Sequence, residues 1–127
     1  MKIFGIGTDI VNINRIKKSI KKDSFVKRIF STSEIAYCKK RKNAHTCYAK
    51  RFAAKEAFSK ALGLGISRGV SFKEIIVQND RMGKPLIKLA GNTKNLVIML
   101  LKKKTFNVYL SLTDDEPFAA AYVIISV

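Results

Sequence analysis

Apolar and polar positions alternate at both ends of the chain and recur at helical spacing between them. Met1 to Val11 predicts a strand that sends Phe4, Ile6, Thr8 and Ile10 to one face and Ile3, Gly5, Gly7, Asp9 and Val11 to the other. Glycine inside a strand marks close approach of a ligand or another backbone, so Asp9 lies on a face with cleared space. Ile13, Ile16 and Ile20 predict an amphipathic helix over Asn12 to Lys22. Ser31-Thr32-Ser33-Glu34 has the form of a capping box. It would open a helix through Ile35 to Cys38 that ends in Lys39-Lys40-Arg41-Lys42-Asn43, cations that suit the helix dipole and could equally bind phosphate.

Arg51 to Gly63 predicts the central helix, rich in good helix formers and ending at a glycine. Ala53, Ala54, Ala57, Phe58 and Ala61 share one face, where small side chains let another backbone come close. Arg51, Lys55, Glu56, Ser59 and Lys60 take the other side. A glycine-rich turn follows over 63–69, then a strand over Phe72 to Val77, a turn over Asn79 to Pro85, and a returning strand over Leu86 to Leu89. Gly91-Asn92-Thr93 would cap a helix to about Lys104 with Leu96, Val97, Leu100 and Leu101 inward. Asn107 to Thr113 alternates, Asp114 to Pro117 turns, and Phe118 to Ile125 is the last strand. Early helices and late hairpins predict a single α+β domain over residues 1–127.

A formal charge of +16 changes the picture, because it calls for an acidic partner: nucleic acid, anionic lipid, a phosphorylated small molecule or an acidic protein. The first helix carries Arg15, Lys17, Lys18, Lys21 and Lys22 with no acid before Asp23, so its cations cannot pair internally. Aromatics are not interleaved with the basic runs as a nucleic-acid stacking platform needs, which argues against specific nucleic-acid binding. The apolar run Pro117 to Val127 is too short to span a membrane. Cys38 and Cys47 make no disulfide framework and are read as reduced thiols in a cytoplasmic protein. Together with His45 they supply three soft ligands without a fourth, a poor zinc site.

Two acids carry candidate chemistry. Glu56 stands among cations with Lys60 one turn on, which fits either a solvated i,i+4 ion pair or a metal-binding or proton-handling carboxylate beside a phosphate clamp. Asp9 fits either a helix cap or a site residue. Gly5-x-Gly7 lacks the third glycine of a dinucleotide fingerprint.

Gly5-Ile6-Gly7-Thr8-Asp9-Ile10-Val11 and the block from Arg51 to Ile66 resemble the two signature blocks of the holo-acyl-carrier-protein synthases, the short bacterial 4′-phosphopantetheinyl transferases. The likeness extends to Gly83-Lys84-Pro85 and to Ala119-Ala120-Ala121. It implies the family's fold, a small antiparallel sheet packed with helices in a homotrimer whose sites lie at subunit boundaries. It also implies the family's reaction: the phosphopantetheine arm of coenzyme A passes to a serine of apo acyl carrier protein, and adenosine 3′,5′-bisphosphate leaves. By resemblance, Asp9 and Glu56 ligate Mg²⁺, a hard ion suited to one or two carboxylates plus phosphate and water. Glu56 and Lys60 are the catalytic candidates, and Lys60 would steady phosphate; whether Glu56 or a metal-bound water takes the serine proton stays open. Lys42, Arg51, Lys60, Gly83, Lys84 and Pro85 are the coenzyme-binding candidates, with Lys42 and Arg51 for the 3′-phosphate. Arg15, Lys18, Lys21 and Lys22 would dock the acidic carrier protein. Tyr109 and Asp114 stand where relatives often have histidine, and Asp114 is expected to face solvent or pair with a lysine. A carrier-binding subunit without catalysis is disfavoured, because Asp9, Glu56 and Lys60 are all present.

Overall fold

The structure is a computed structural model that describes residues 1–63 and 69–127. In chain order come β1 (Ile3–Asn12), α1 (Ile13–Ser19), α2 (Asp23–Ile29), α3 (Thr32–Lys39), α4 (Ala44–Leu62), β2 (Ile75–Asn79), β3 (Pro85–Leu89), α5 (Gly91–Leu101), β4 (Asn107–Asp115) and β5 (Phe118–Ser126). An antiparallel sheet has the order β1-β5-β4, and β2 and β3 form an antiparallel pair of their own. This is the expected α+β arrangement, with small antiparallel sheets packed against helices. Of the glycine-rich turn expected over 63–69, residues 64–68 lie outside the described residues.

α4 is the axis of the molecule and packs on the inner face of β1. A Cβ on Gly5 would stand 1.9 Å from the Ala61 carbonyl oxygen, and one on Gly7 would stand 1.8 Å from that of Ala57. The space that the glycines clear is therefore filled by helix backbone. Gly63, at φ 81°, ends the helix in the left-handed region, and its N–H donates to the carbonyls of Lys60 and Ser59.

The polar side expected for α4 is largely enclosed. Arg51, Lys55 and Ser59 are buried, because α3, β2 and the 3₁₀ turn Phe72–Glu74 cover that side. The Lys55 ammonium donates to Glu34 Oε1 at 2.7 Å and to the carbonyls of Phe72 and Ile75 at 2.7 and 2.5 Å. Glu34 completes the predicted capping box with Ser31, and its Oε2 also accepts the Val77 N–H at 3.0 Å. Burial pushes the Lys55 ammonium down to about 8 against the opposing pull of Glu34.

Other boundaries move for local reasons. The first helix stops at Ser19 instead of Lys22, and Lys22 is extended as the N-cap of α2. The break re-aims the chain so that Val26 and Ile29 enter the core after Ile13 and Ile16. The strand expected from Phe72 begins at Ile75, because the 3₁₀ turn aims the Phe72 carbonyl at Lys55. α5 ends at Leu101, where Lys102 turns left-handed at φ 57°. Asp114 and Asp115 belong to β4, paired with Ala119 and Phe118, and not to the turn. The reduced-thiol reading of Cys38 and Cys47 is corrected as well. The end of α3 and the first turn of α4 face each other across the short connection 40–43, and the structure joins the two cysteines as a disulfide.

Candidate active site

Past its two glycines, β1 carries Asp9 on the face that meets α4, where Glu56 and Lys60 stand one turn apart. The Lys60 ammonium turns to β1, donating to the Thr8 carbonyl at 3.0 Å and to Asp9 Oδ1 at 3.3 Å. Glu56 is half-buried, and its carboxyl is raised above the usual range by burial, then by the Asp9 carboxylate, with Lys60 opposing. The two acids are thus close enough to repel. They open onto a cavity of about 430 Å³ that is also lined by Asn12, Arg15, Phe25 and Phe52.

Lys18 and Lys22 line an adjoining cavity of about 400 Å³ with Phe25 and Arg28, and Lys21 is exposed nearby in sequence. Of the expected docking cations, Arg15 lines the cavity of the acid pair, Lys18 and Lys22 line the adjoining one and Lys21 lines neither, and α1 itself carries only Arg15 and Lys18 of the four.

A second cavity, of about 420 Å³, holds Lys42 and Arg51 together with Arg41, Lys50, Asn79 and Asp114. Arg51 is only 3% exposed, and burial lowers its guanidinium from the ordinary arginine value. Its Nη1 donates to Cys47 Sγ at 3.4 Å and its Nη2 to Asn79 Oδ1 at 2.8 Å, while Nε has no partner among the described residues. Asn79 Nδ2 in turn donates to the Gly83 carbonyl at 3.0 Å, which ties the Gly83-Lys84-Pro85 turn to Arg51. The Tyr37 ring carries two guanidinium groups, Arg41 at 4.2 Å and Arg51 at 4.4 Å from its centroid. Asp114 pairs with Lys50 at 3.1 Å, the lysine partner expected of it.

The structure brings Asp9, Glu56 and Lys60 together, and it sets Lys42 and Arg51 around a different cavity, which Gly83, Lys84 and Pro85 do not line and which their turn reaches only through Asn79. Among the described residues, the two cavities share no lining residue. Sequence reasoning reached Arg41 only as one of the cations of the 39–43 run, and passed over Tyr37, Lys50 and Asn79. Tyr37 and Arg41 carry a legible i,i+4 spacing, whereas Asn79 reaches Arg51 across 28 residues, a contact with no local sign.

Among the described residues, no group of three or more His, Cys, Asp or Glu could hold a metal. An ion that needs a complete protein cage does not fit. Two mutually repelling carboxylates open to a cavity do fit Mg²⁺, which keeps water and phosphate oxygens in its shell.

The family model for the 4′-phosphopantetheinyl transferase superfamily matches residues 5–123. The chain is 49% identical over 125 residues to the holo-[acyl-carrier-protein] synthase of Pelagibacter ubique, covering 98% of each chain. Among solved structures, it resembles the holo-[acyl-carrier-protein] synthase of Neisseria meningitidis with TM-score 0.86 and 36% identity, covering 98% of this chain and 99% of that one. The enzyme of Bacillus anthracis, solved in complex with coenzyme A (3′,5′-ADP), matches with TM-score 0.80 and 38% identity over 99% and 98% of the two chains.

Proposed function

The chain belongs to the 4′-phosphopantetheinyl transferase superfamily as a holo-[acyl-carrier-protein] synthase, and we propose that it moves phosphopantetheine from coenzyme A to a serine of apo acyl carrier protein with the help of Mg²⁺. The observation that carries the mechanism is the pairing of Asp9 with Glu56, whose carboxyl is raised partly by its neighbour's charge. Asp9 and Glu56 would hold the ion, which when bound neutralises charge developing on the diphosphate. Lys60, already turned toward Asp9, would hold phosphate oxygens of the coenzyme or of the leaving bisphosphate. Glu56 is the protein group available to receive the serine proton. Arg15, Lys18, Lys21 and Lys22 would steer the acidic carrier protein so that its serine reaches the cavity beside Glu56. Lys42 and Arg51, with the Gly83-Lys84-Pro85 turn held through Asn79, would take the 3′-phosphate end of the coenzyme.

These two halves line separate cavities, which supports a site completed by a second copy of the chain. The outer face of the three-stranded sheet supports the same reading. It exposes Ile6 (56%), Ile10 (65%), Tyr109, Phe118 and Tyr122, an apolar face suited to burial between copies. A homotrimer, acting as a single-domain enzyme over residues 1–127 in the cytoplasm, is part of the proposal. Among the described residues, no helix is long and apolar enough to cross a membrane.

The test is mass spectrometry of apo acyl carrier protein incubated with the protein, coenzyme A and Mg²⁺. The expected result is a gain of one phosphopantetheine per carrier, lost when the metal is chelated. Folded protein that leaves the carrier mass unchanged would refute the proposal.

A further inference from the structure

The cavity around Lys42 and Arg51 is not uniformly cationic. Among the described residues, Arg41, Lys42, Lys50 and Arg51 line it together with one acid, Asp114, near the end of β4. Asp114 Oδ1 meets the Lys50 ammonium at 3.1 Å, and the two side chains keep 38% and 30% of their exposure. One of four cations is thus matched by an internal counter-ion, and a carboxylate stands on the wall where an anion would arrive.

We propose that Asp114 is a specificity-determining residue: paired with Lys50 on the wall of this cavity, it weakens the hold on a phosphomonoester and narrows the preference for coenzyme A over its 3′-dephospho form. The proposal rests on the reading that this cavity takes the 3′-phosphate. A phosphomonoester carries about −1.5 to −2 charge at neutral pH, so it competes with Asp114 for Lys50 and is repelled by the carboxylate itself. Partial exposure screens both effects, which keeps the consequence within about one order of magnitude.

The experiment measures kcat/KM for coenzyme A and for 3′-dephospho-coenzyme A, with apo acyl carrier protein as acceptor. It uses the unmodified protein, Asp114→Asn and Lys42→Ala, at low and high salt. Asp114→Asn is expected to raise the ratio of the two values about five- to tenfold at low salt, through KM for coenzyme A, and the gain should shrink as salt is added. Lys42→Ala should lower the ratio, which marks the cavity as the phosphate site. If Lys42→Ala lowers the ratio and Asp114→Asn leaves it unchanged or lowers it, the role of Asp114 is overturned while the phosphate site stands. If Lys42→Ala leaves the ratio unchanged, the assignment of the cavity falls and takes the proposal with it.

Discussion

Lys55 and Glu34 form an ion pair at 2.7 Å in which neither side chain touches water. Around it, the pair gathers the Ser31 and Val77 N–H groups and the Phe72 and Ile75 carbonyls. It therefore fixes α4 against α3 and against the entry to β2, and so helps set the orientation of the helix that presents Arg51 and Glu56.

Removing one partner leaves a buried charge and several backbone groups unmatched. Lys55→Met is expected to cost about 3–5 kcal/mol in urea unfolding, and Glu34→Gln somewhat less because an amide can keep part of the network. The combination Lys55→Met with Glu34→Leu should cost less than Lys55→Met and Glu34→Leu measured singly and added, since it buries no orphaned charge. Additive losses would show that the pair acts as two independent packing elements.

Gly7→Ala tests the contact between β1 and α4. Its methyl would meet the Ala57 carbonyl oxygen at 1.8 Å, and that atom belongs to the backbone of a buried helix and cannot rotate away. Overpacking of this kind costs about 1–3 kcal/mol where side chains can yield, so a loss of at least about 3 kcal/mol or outright failure to fold is expected. Among the described residues, a Cβ at Gly83 meets nothing within 4 Å, but the position sits at φ 85°, so Gly83→Ala should cost only about 1 kcal/mol of backbone strain. Urea unfolding of both variants checks the order.

Close approach at β1 and at α4 was legible separately, from Gly5 and Gly7 on one face of the strand and from alanines at helical spacing in the helix, whereas their meeting each other was not. Asp9 and Glu56 were legible as a pair only through the family likeness, since nothing local brings residues 9 and 56 together. The burial of Arg51 and Lys55 was not legible. Helical spacing puts both on a charged side, and the elements that cover that side come from residues 21 and 28 positions away. Glu34 showed only its capping role because its second oxygen serves Val77, on another element. The cysteine count gave no sign of the Cys38–Cys47 bond, which depends on how two helix ends meet across a short connection.

The acid pair predicts a pH dependence whose sign follows from Glu56. Its folded value lies above its unfolded one, so the folded state holds the proton more tightly. Stability from this group is fully present below the unfolded carboxylate value and is lost as pH rises through the raised folded value. Metal-free protein should therefore melt at progressively lower temperature across that window. Asp9→Asn removes the like charge but not the burial, so it should shrink the loss without abolishing it. Mg²⁺ at neutral pH should raise Tm in the unmodified protein and much less in Asp9→Asn or Glu56→Gln. Thermal melting with and without Mg²⁺ checks each sign, and an equal Mg²⁺ effect in all three proteins would remove the acids from metal binding.

Lys18→Glu should act on the carrier protein alone. Lys18 is exposed on α1 and lines the cavity adjoining that of Glu56, whereas the cavity of Lys42 and Arg51 lies elsewhere. Reversing one rim charge slows electrostatically steered encounter, so the apparent KM for apo acyl carrier protein should rise roughly tenfold at low salt and converge on the unmodified value at high salt. The KM for coenzyme A should stay where it is. Steady-state kinetics at two salt concentrations separate the effects, and an unchanged carrier KM would clear α1 of docking.

The separation of the two cavities makes the most discriminating prediction. If Glu56 of one copy works with Arg51 of its neighbour, Glu56→Gln and Arg51→Met each disable every site of their own trimer. Mixed trimers behave differently, because a boundary flanked by an intact Glu56 on one side and an intact Arg51 on the other is whole again. Random mixing of equal amounts gives each copy an even chance of being either variant. A given boundary then has both halves intact in about one case in four, and the mixture should recover about a quarter of the unmodified activity. The inactive variants must first be unfolded and refolded together, or co-expressed, so that subunits exchange. Because Arg51 is buried, circular dichroism on Arg51→Met guards against a folding defect. Recovery near a quarter requires a shared site. No recovery from folded, exchanged subunits would confine the whole reaction to one chain, and the cavity of Lys42 and Arg51 would then lose its place in it.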